Sequence, residues 1–418
     1  MKWQSLRRWL RGAVVLIPLL LWGEARANTP ERDSVPRVNA DTADAWDWIY
    51  EWRMAHRPAP GTPSAFDPTQ PQFWPVERVV GGAAQPLPRR KGGCLTAERL
   101  VEALAEVRRT GSYSFLVWRQ GAVEIEYFGT GFGPETRPEP ASMHKSVLAL
   151  VVGQAVADGA VPDLDAPVSR WLEEWAQDPR GAITVRQMLQ MSTGLAPLPF
   201  SMAPGSAYSR ALYGGEGAAV PLAAPLVDAP GRRFNYASGI SQLLGLIIER
   251  ATGERYADYL SRRLWQPLGA ADAFVALDHP GGLARTSSGL FATSEDWLRL
   301  GVLFVQKGKV QGRQVVDAAW LTRMTSPAPT NPNYGFQIWR GSPHAPKRHY
   351  NNVTPTAMPA VAPFLAEDMV FFDGAGAQRV YVSPEEGLVI VRLGAPALDW
   401  DDSRLPNLVV RAARACPL

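Results

Sequence analysis

Residues 139–159 read EPASMHKSVLALVVGQAVADG. Val147, Leu148, Leu150, Val151, Val152 and Val156 spread round most of a helical circumference, and a helix that is apolar on nearly all sides is a buried one. Its first turn nevertheless carries Ser142, His144 and Lys145. Ser142 and Lys145 stand at i and i+3, so on a helix they share a face. A serine hydroxyl is a poor nucleophile near neutral pH and needs a base within hydrogen-bond reach. Lysine becomes such a base when burial or nearby positive charge lowers its pKa. The apolar helix supplies the burial, and its N-terminus offers backbone N–H groups to a developing oxyanion. The chain contains six lysines against 37 arginines, and arginine keeps its proton. The plainer reading of the pair is a helix cap beside a lysine whose stem lies on apolar surface. His144 points roughly 100–200° away from the pair on a helix.

Two further clusters bear on the same chemistry. In PGRRFNYASGISQLLGLIIERATGE (residues 230–254), Tyr236 and Ser238 fall in a loop just before an apolar helix. A tyrosine beside a lysine can share its proton and relay it to a leaving group; otherwise it is a packed aromatic with its hydroxyl satisfied. In FFDGAGAQRVYV (residues 371–382), the small residues Gly374, Ala375, Gly376 and Ala377 let a substrate or a backbone approach closely at the start of a strand. That edge could present a second oxyanion N–H, or the stretch is a tight turn.

The rest of the chain frames these clusters. It has 418 residues, 46% hydrophobic and 20% charged, which is ordinary for a folded soluble protein and excludes disordered, collagen-like and multi-span membrane classes. Residues 1–27 have a basic head, an apolar run from Gly12 to Trp22 and Ala25-Arg26-Ala27, the layout of a signal peptide cleaved after Ala27. The alternative is an uncleaved anchor. The segment carries five basic groups (Lys2, Arg7, Arg8, Arg11, Arg26) and one acid (Glu24), so its removal takes the formal charge from +3 to −1. A near-neutral chain gives no electrostatic reason to propose nucleic acid, and after cleavage no stable membrane insertion is expected. Residues 28–91 are rich in Pro and Trp, and read as an N-terminal extension lying on the main domain or as a mobile linker. From Cys94 the texture changes. Thr96 caps a predicted helix running to Gly111, and residues 112–129 alternate about Gln120-Gly121 as a β-hairpin. Residues from about 160 to 300 are mainly helical. Two strands around Pro384–Gly387 and a closing helix end the chain. Strands at both ends with a helical middle predict one α+β sheet domain, residues 92–418, built from the two termini around an inserted helical lobe. Cys94 and Cys416 flank the domain and either pair, as exported cysteines can, or stay as two buried thiols. The five histidines show no metal-ligand spacing and read as scattered surface residues. No phosphate loop or dinucleotide fingerprint is present, and no metal or cofactor is expected.

In this order, the three clusters resemble those of the serine β-lactamase and penicillin-binding protein superfamily. The likeness is strongest to class C β-lactamase-like serine hydrolases, including family VIII esterases and 6-aminohexanoate-dimer hydrolases. It covers Cys94 to Leu418, including ITVRQMLQMSTGL, GGLARTSSGLFATSEDWLRLG and VYVSPEEGLVIVRLG. The resemblance implies an antiparallel sheet flanked by helices, a helical lobe, and a site between them. It implies Ser142 as nucleophile, Lys145 as its partner and Tyr236 as the tyrosine of a Y-x-N motif, with Ser238 in the usual Asn position. Ser142 N–H and Ala375 N–H become the oxyanion donors. The third motif departs most: Phe372-Asp373-Gly374 stands where a Lys-Thr-Gly or histidine variant is usual. Asp373, if it faces the cleft, would repel a carboxylate and favour a neutral or amine-bearing substrate; Gly374 and Gly376 would line the substrate. The expectation is therefore a periplasmic or secreted serine hydrolase acting on a small ester, amide or short peptide. A β-lactamase or D-Ala-D-Ala peptidase, or a non-catalytic binding protein on the same fold, are the alternatives. Either Lys145 or Tyr236 could be the main base. The irregular stretch at 341–364 is expected to border the cleft.

Overall fold

The computed structural model describes residues 46–56, 73–83, 85–397 and 399–416. The signal-like segment 1–27 and much of the Pro/Trp-rich stretch lie outside the described residues.

The main sheet has six antiparallel strands. In spatial order they are Ala122–Phe128, Ser112–Arg119, Leu388–Gly394, Gln378–Ser383, Val370–Gly374 and Trp339–Arg340. The hairpin predicted about Gln120-Gly121 forms, and Leu388 to Gly394 pairs back along Arg119 to Ser112. The two ends of the domain thus meet in mid-sheet. Every residue of the three central strands is buried, so both faces are covered. The side-chain period of two divides those faces. Val380, Val382 and Val389 pack against Gly301 of the helix Ser294–Val305. On the opposite face, Arg379 meets Asp402 and Arg392 lies over Trp400, just before the closing helix Arg404–Arg414.

The helical region differs in detail from the sequence reading. The helix capped by Thr96 begins at Val101 rather than Ala97, because the first residues form isolated turns and Thr96 Oγ1 accepts only a 3.4 Å bond from Arg99 N–H. The helix Ser294–Val305 packs on the sheet, so the inserted helical lobe ends sooner than residue 300. A separate three-stranded sheet forms from Val76–Val79, Ala273–Ala276 and Leu290–Phe291. The helix Asp47–Ala55 is held by Arg53, 1% exposed, which donates to the carbonyls of Trp74, Tyr213 and Leu277.

Cys94 and Cys416 form a disulfide with Cα atoms 5.7 Å apart, joining positions separated by 322 residues. Among the described residues, no helix is long and apolar enough to cross a membrane.

Candidate active site

Ser142 sits in a short 3-10 turn, Ala141–Met143, which runs directly into the helix His144–Ala157. Nearly all of that helix is buried, as its all-round apolar sequence dictates. Ala141 has φ 50°, a left-handed conformation uncommon for alanine. Such strain persists where the surroundings hold it. Here the Ala141 N–H donates to the Glu139 carboxyl, and the end of the strand Val370–Gly374 presses on the turn. A Cβ at Gly374 would lie 2.3 Å from the Pro140 carbonyl oxygen and 3.1 Å from Met143 Cγ. Only glycine allows this strand end to come so close to the Ser142 turn.

Lys145 is 1% exposed. Its Nζ donates to Ser142 Oγ at 2.8 Å, to the Ser287 carbonyl at 2.7 Å and to Ser238 Oγ at 3.3 Å. It also lies 5.2 Å from the centre of the Tyr236 ring. Burial lowers its pKa to about 7, against the opposing charges of Asp373 and Glu139. Tyr236 is buried. Burial, reinforced by Tyr334 and Asp373, raises the Tyr236 pKa well above 10, although the nearby Ser142 side chain works to lower it. Near neutral pH, therefore, Lys145 is partly a free amine while Tyr236 keeps its proton. The Tyr236 backbone is pinned on both sides: its N–H donates to the Tyr350 carbonyl at 2.8 Å, and Asn351 Nδ2 donates to its carbonyl at 3.0 Å. Both partners come from the stretch after residue 341, which is not wholly irregular, since Lys347–His349 pairs with Ala357–Pro359. Ser238 is the first residue of the helix Ser238–Thr252 rather than a loop residue.

Three expectations are corrected. Asp373 does not offer a free charge: it is buried, with Arg348 and Arg379 nitrogens 3.0 and 2.8 Å away and the Tyr350 hydroxyl donating at 3.1 Å. Its charge is already met, so it neither repels a carboxylate nor attracts an amine as an isolated anion would. Gly376, with φ 75°, belongs to the hairpin turn, where a Cβ would face Pro396 and its carbonyl accepts from Arg392. It does not face Ser142. His144 is fully buried rather than on the surface: its ring bonds the Ser288 carbonyl at 2.6 Å and the Tyr256 hydroxyl at 2.9 Å, and burial lowers its pKa to about 4. It is turned away from Ser142 toward these partners.

Three groups at the site escaped the sequence reading. The Ser287 carbonyl anchors Lys145. The Tyr208 hydroxyl is hydrogen-bonded to Ser238, and burial pushes its pKa up to about 12. Desolvation pushes Glu139 up to about 7, although the Ala141 and Gly289 N–H groups bond it. Beside Ser238 and Ser287 opens a cavity of about 300 Å³ walled by Leu195, Leu198, Phe200, Leu212 and Val220. Among the described residues no group of three or more His, Cys, Asp and Glu could hold a metal ion.

A family profile for β-lactamases matches residues 97–395, and the chain belongs to that family. It is 30% identical over 236 residues to the 6-aminohexanoate-dimer hydrolase of Paenarthrobacter ureafaciens, a match covering 54% of this chain and 60% of that protein. It is 34% identical over 201 residues to esterase EstB of Burkholderia gladioli, covering 44% and 50% of the two chains. The chain thus spans about half to three-fifths of the length of these relatives. A Bacillus anthracis structure provisionally named as a 6-aminohexanoate-dimer hydrolase superposes with a TM-score of 0.65 at 18% identity, covering 92% of this chain and all of that one, and shows the shared fold.

Proposed function

We propose that this protein is an exported serine hydrolase that cleaves a carboxylic ester or a linear amide through an acyl-Ser142 intermediate. Neutral Lys145 takes the Ser142 hydroxyl proton as Oγ attacks the carbonyl carbon. The N–H groups of Ser142 and Ala375 hold the oxyanion. When the intermediate collapses, Tyr236 gives its proton to the departing oxygen or nitrogen, and the Lys145 ammonium restores it. Water then attacks the acyl group, its proton passes to Lys145, and the acid leaves as Ser142 regains its proton.

The observation that carries this reading is the 2.8 Å contact between Ser142 Oγ and a buried lysine whose pKa is lowered to about 7. The apolar cavity beside Ser238 favours an uncharged acyl or alcohol group. Phe372 is fully buried and Asp373 is ion-paired, so the third motif supplies no free cation for the carboxylate of a penicillin or a D-Ala-D-Ala peptide. Hydrolase activity is consistent with the named activities of the two relatives. Export is supported by the signal-like residues 1–27 and by the Cys94–Cys416 bridge, since disulfides persist in oxidising compartments.

The test is turnover of p-nitrophenyl esters, anilides and a chromogenic cephalosporin by the purified protein and by Ser142→Ala. Ester or anilide hydrolysis that vanishes in the variant is expected. Cephalosporin turnover exceeding both would transfer the assignment to β-lactam chemistry.

A further inference from the structure

A second cavity, of about 390 Å³, opens along the outer strand Trp339–Arg340 and shares no lining residue with the apolar cavity beside Ser238. Its charge is one-sided. Arg232, Arg233, Arg340, Lys347 and Arg348 line it against one carboxylate, Asp402. Arg348 is 7% exposed and stacks 4.1 Å over the Trp339 ring, which fixes the plane of its guanidinium. Its Nη2 serves Asp402 at 2.6 Å and Asp373 at 3.0 Å, and its Nε serves Asp402 at 3.2 Å. Its Nη1 is buried with no hydrogen-bond partner.

Three more groups on residues lining the cavity share that condition. Trp339, 2% exposed, leaves Nε1 without a partner, as Arg340 leaves Nε and Thr330 leaves Oγ1. The three nitrogens can only donate. Folded proteins rarely leave buried donors unpaired, and these four polar groups all belong to residues that line one cationic cavity. An acceptor with several lone pairs and negative charge suits a wall so rich in guanidinium groups. At the rim, Lys347 is exposed and makes no ion pair among the described residues, while Arg232 and Arg233 share the single carboxylate of Asp228 at 3.3 and 3.4 Å. Such a rim draws anions inward.

We propose that this cavity is a second ligand site, for a small molecule bearing an oxyanion, either a phosphate or a carboxylate. Trp339 stands between the two sites, its ring stacked 5.9 Å from that of Tyr236. The proposal does not depend on hydrolysis at Ser142, because binding alone reads it.

The experiment is calorimetric titration of the mature protein, at neutral pH and low ionic strength, with inorganic phosphate and separately with succinate. One saturable equivalent of at least one of them is expected, and whichever binds tighter names the source of the oxyanion. Arg233→Gln combined with Lys347→Gln, both on exposed side chains, should weaken binding about tenfold. Trp339→Phe, which keeps a ring and removes only the indole N–H, should weaken it several-fold. No saturable binding of either anion in the millimolar range overturns the proposal. So does binding that both variants leave unchanged.

Discussion

Raising the pH should switch hydrolysis on through Lys145. A lysine with the ordinary pKa of 10.5 is neutral in about one molecule in a thousand at pH 7.5; with the pKa lowered to about 7 it is neutral in about three of four. Burial therefore increases the available base by nearly 10³-fold. The active form is the deprotonated one, so kcat/KM should climb through an apparent pKa near 7 and level off above it. The assay is kcat/KM for p-nitrophenyl butyrate across the neutral range at constant ionic strength, which reports the groups of the free enzyme. Lys145→Arg keeps a cation that cannot deprotonate and should lose about 10²–10⁴-fold at every pH. Glu139 also titrates near 7, so the measured value belongs to the pair. Because Glu139 raises the Lys145 pKa, Glu139→Gln should move the rise to lower pH. The same shift has a stability consequence. A lysine whose folded pKa lies below its unfolded value destabilises the fold fully below about pH 7, and the penalty lifts as pH rises toward 10.5. A rise centred above pH 9, or an active Lys145→Arg, would refute the reasoning and point to Tyr236 as the base.

Three other outcomes follow from the geometry. Gly374→Ala places a Cβ 2.3 Å from the Pro140 carbonyl, so the strand end must retreat from Ser142; kcat should fall about 10²-fold in a protein that still melts cooperatively. Replacing both Cys94 and Cys416 by alanine opens a 322-residue loop, and denaturant titration should show a loss of roughly 2–5 kcal/mol. Across p-nitrophenyl acetate, butyrate and hexanoate, each methylene entering the cavity beside Ser238 should add about 0.8 kcal/mol, roughly fourfold in kcat/KM, until its volume of about 300 Å³ is filled. A flat series would place the acyl group elsewhere.

The features legible in the sequence are those written locally. Period-two alternation gives the hairpin 112–128, the turn Pro384–Gly387 marks the two strands on either side of it, and all-round apolarity gives the buried helix His144–Ala157. The i, i+3 spacing brings Ser142 to Lys145 even though Ser142 lies in a 3-10 turn. What could not be read is set by segments far apart in the chain. Asp373 meets Arg379 across its own hairpin, a partner that cross-strand register could have suggested, but Arg348 and Tyr350 reach it from a separate segment over twenty residues earlier. Tyr208 reaches Ser238 from the short helix Ala207–Tyr213, and Ser287 offers only a carbonyl, which no side-chain pattern can mark. His144 read as a surface residue because its partners, the Ser288 carbonyl and Tyr256, come from over a hundred residues away.

The most direct test of the account is the intact mass of the purified protein after exposure to a fluorophosphonate, beside Ser142→Ala. A single adduct on the wild type, absent from the variant and forming faster as pH rises through 7, is the predicted result. No adduct on folded protein, or an adduct that persists in Ser142→Ala, would contradict it.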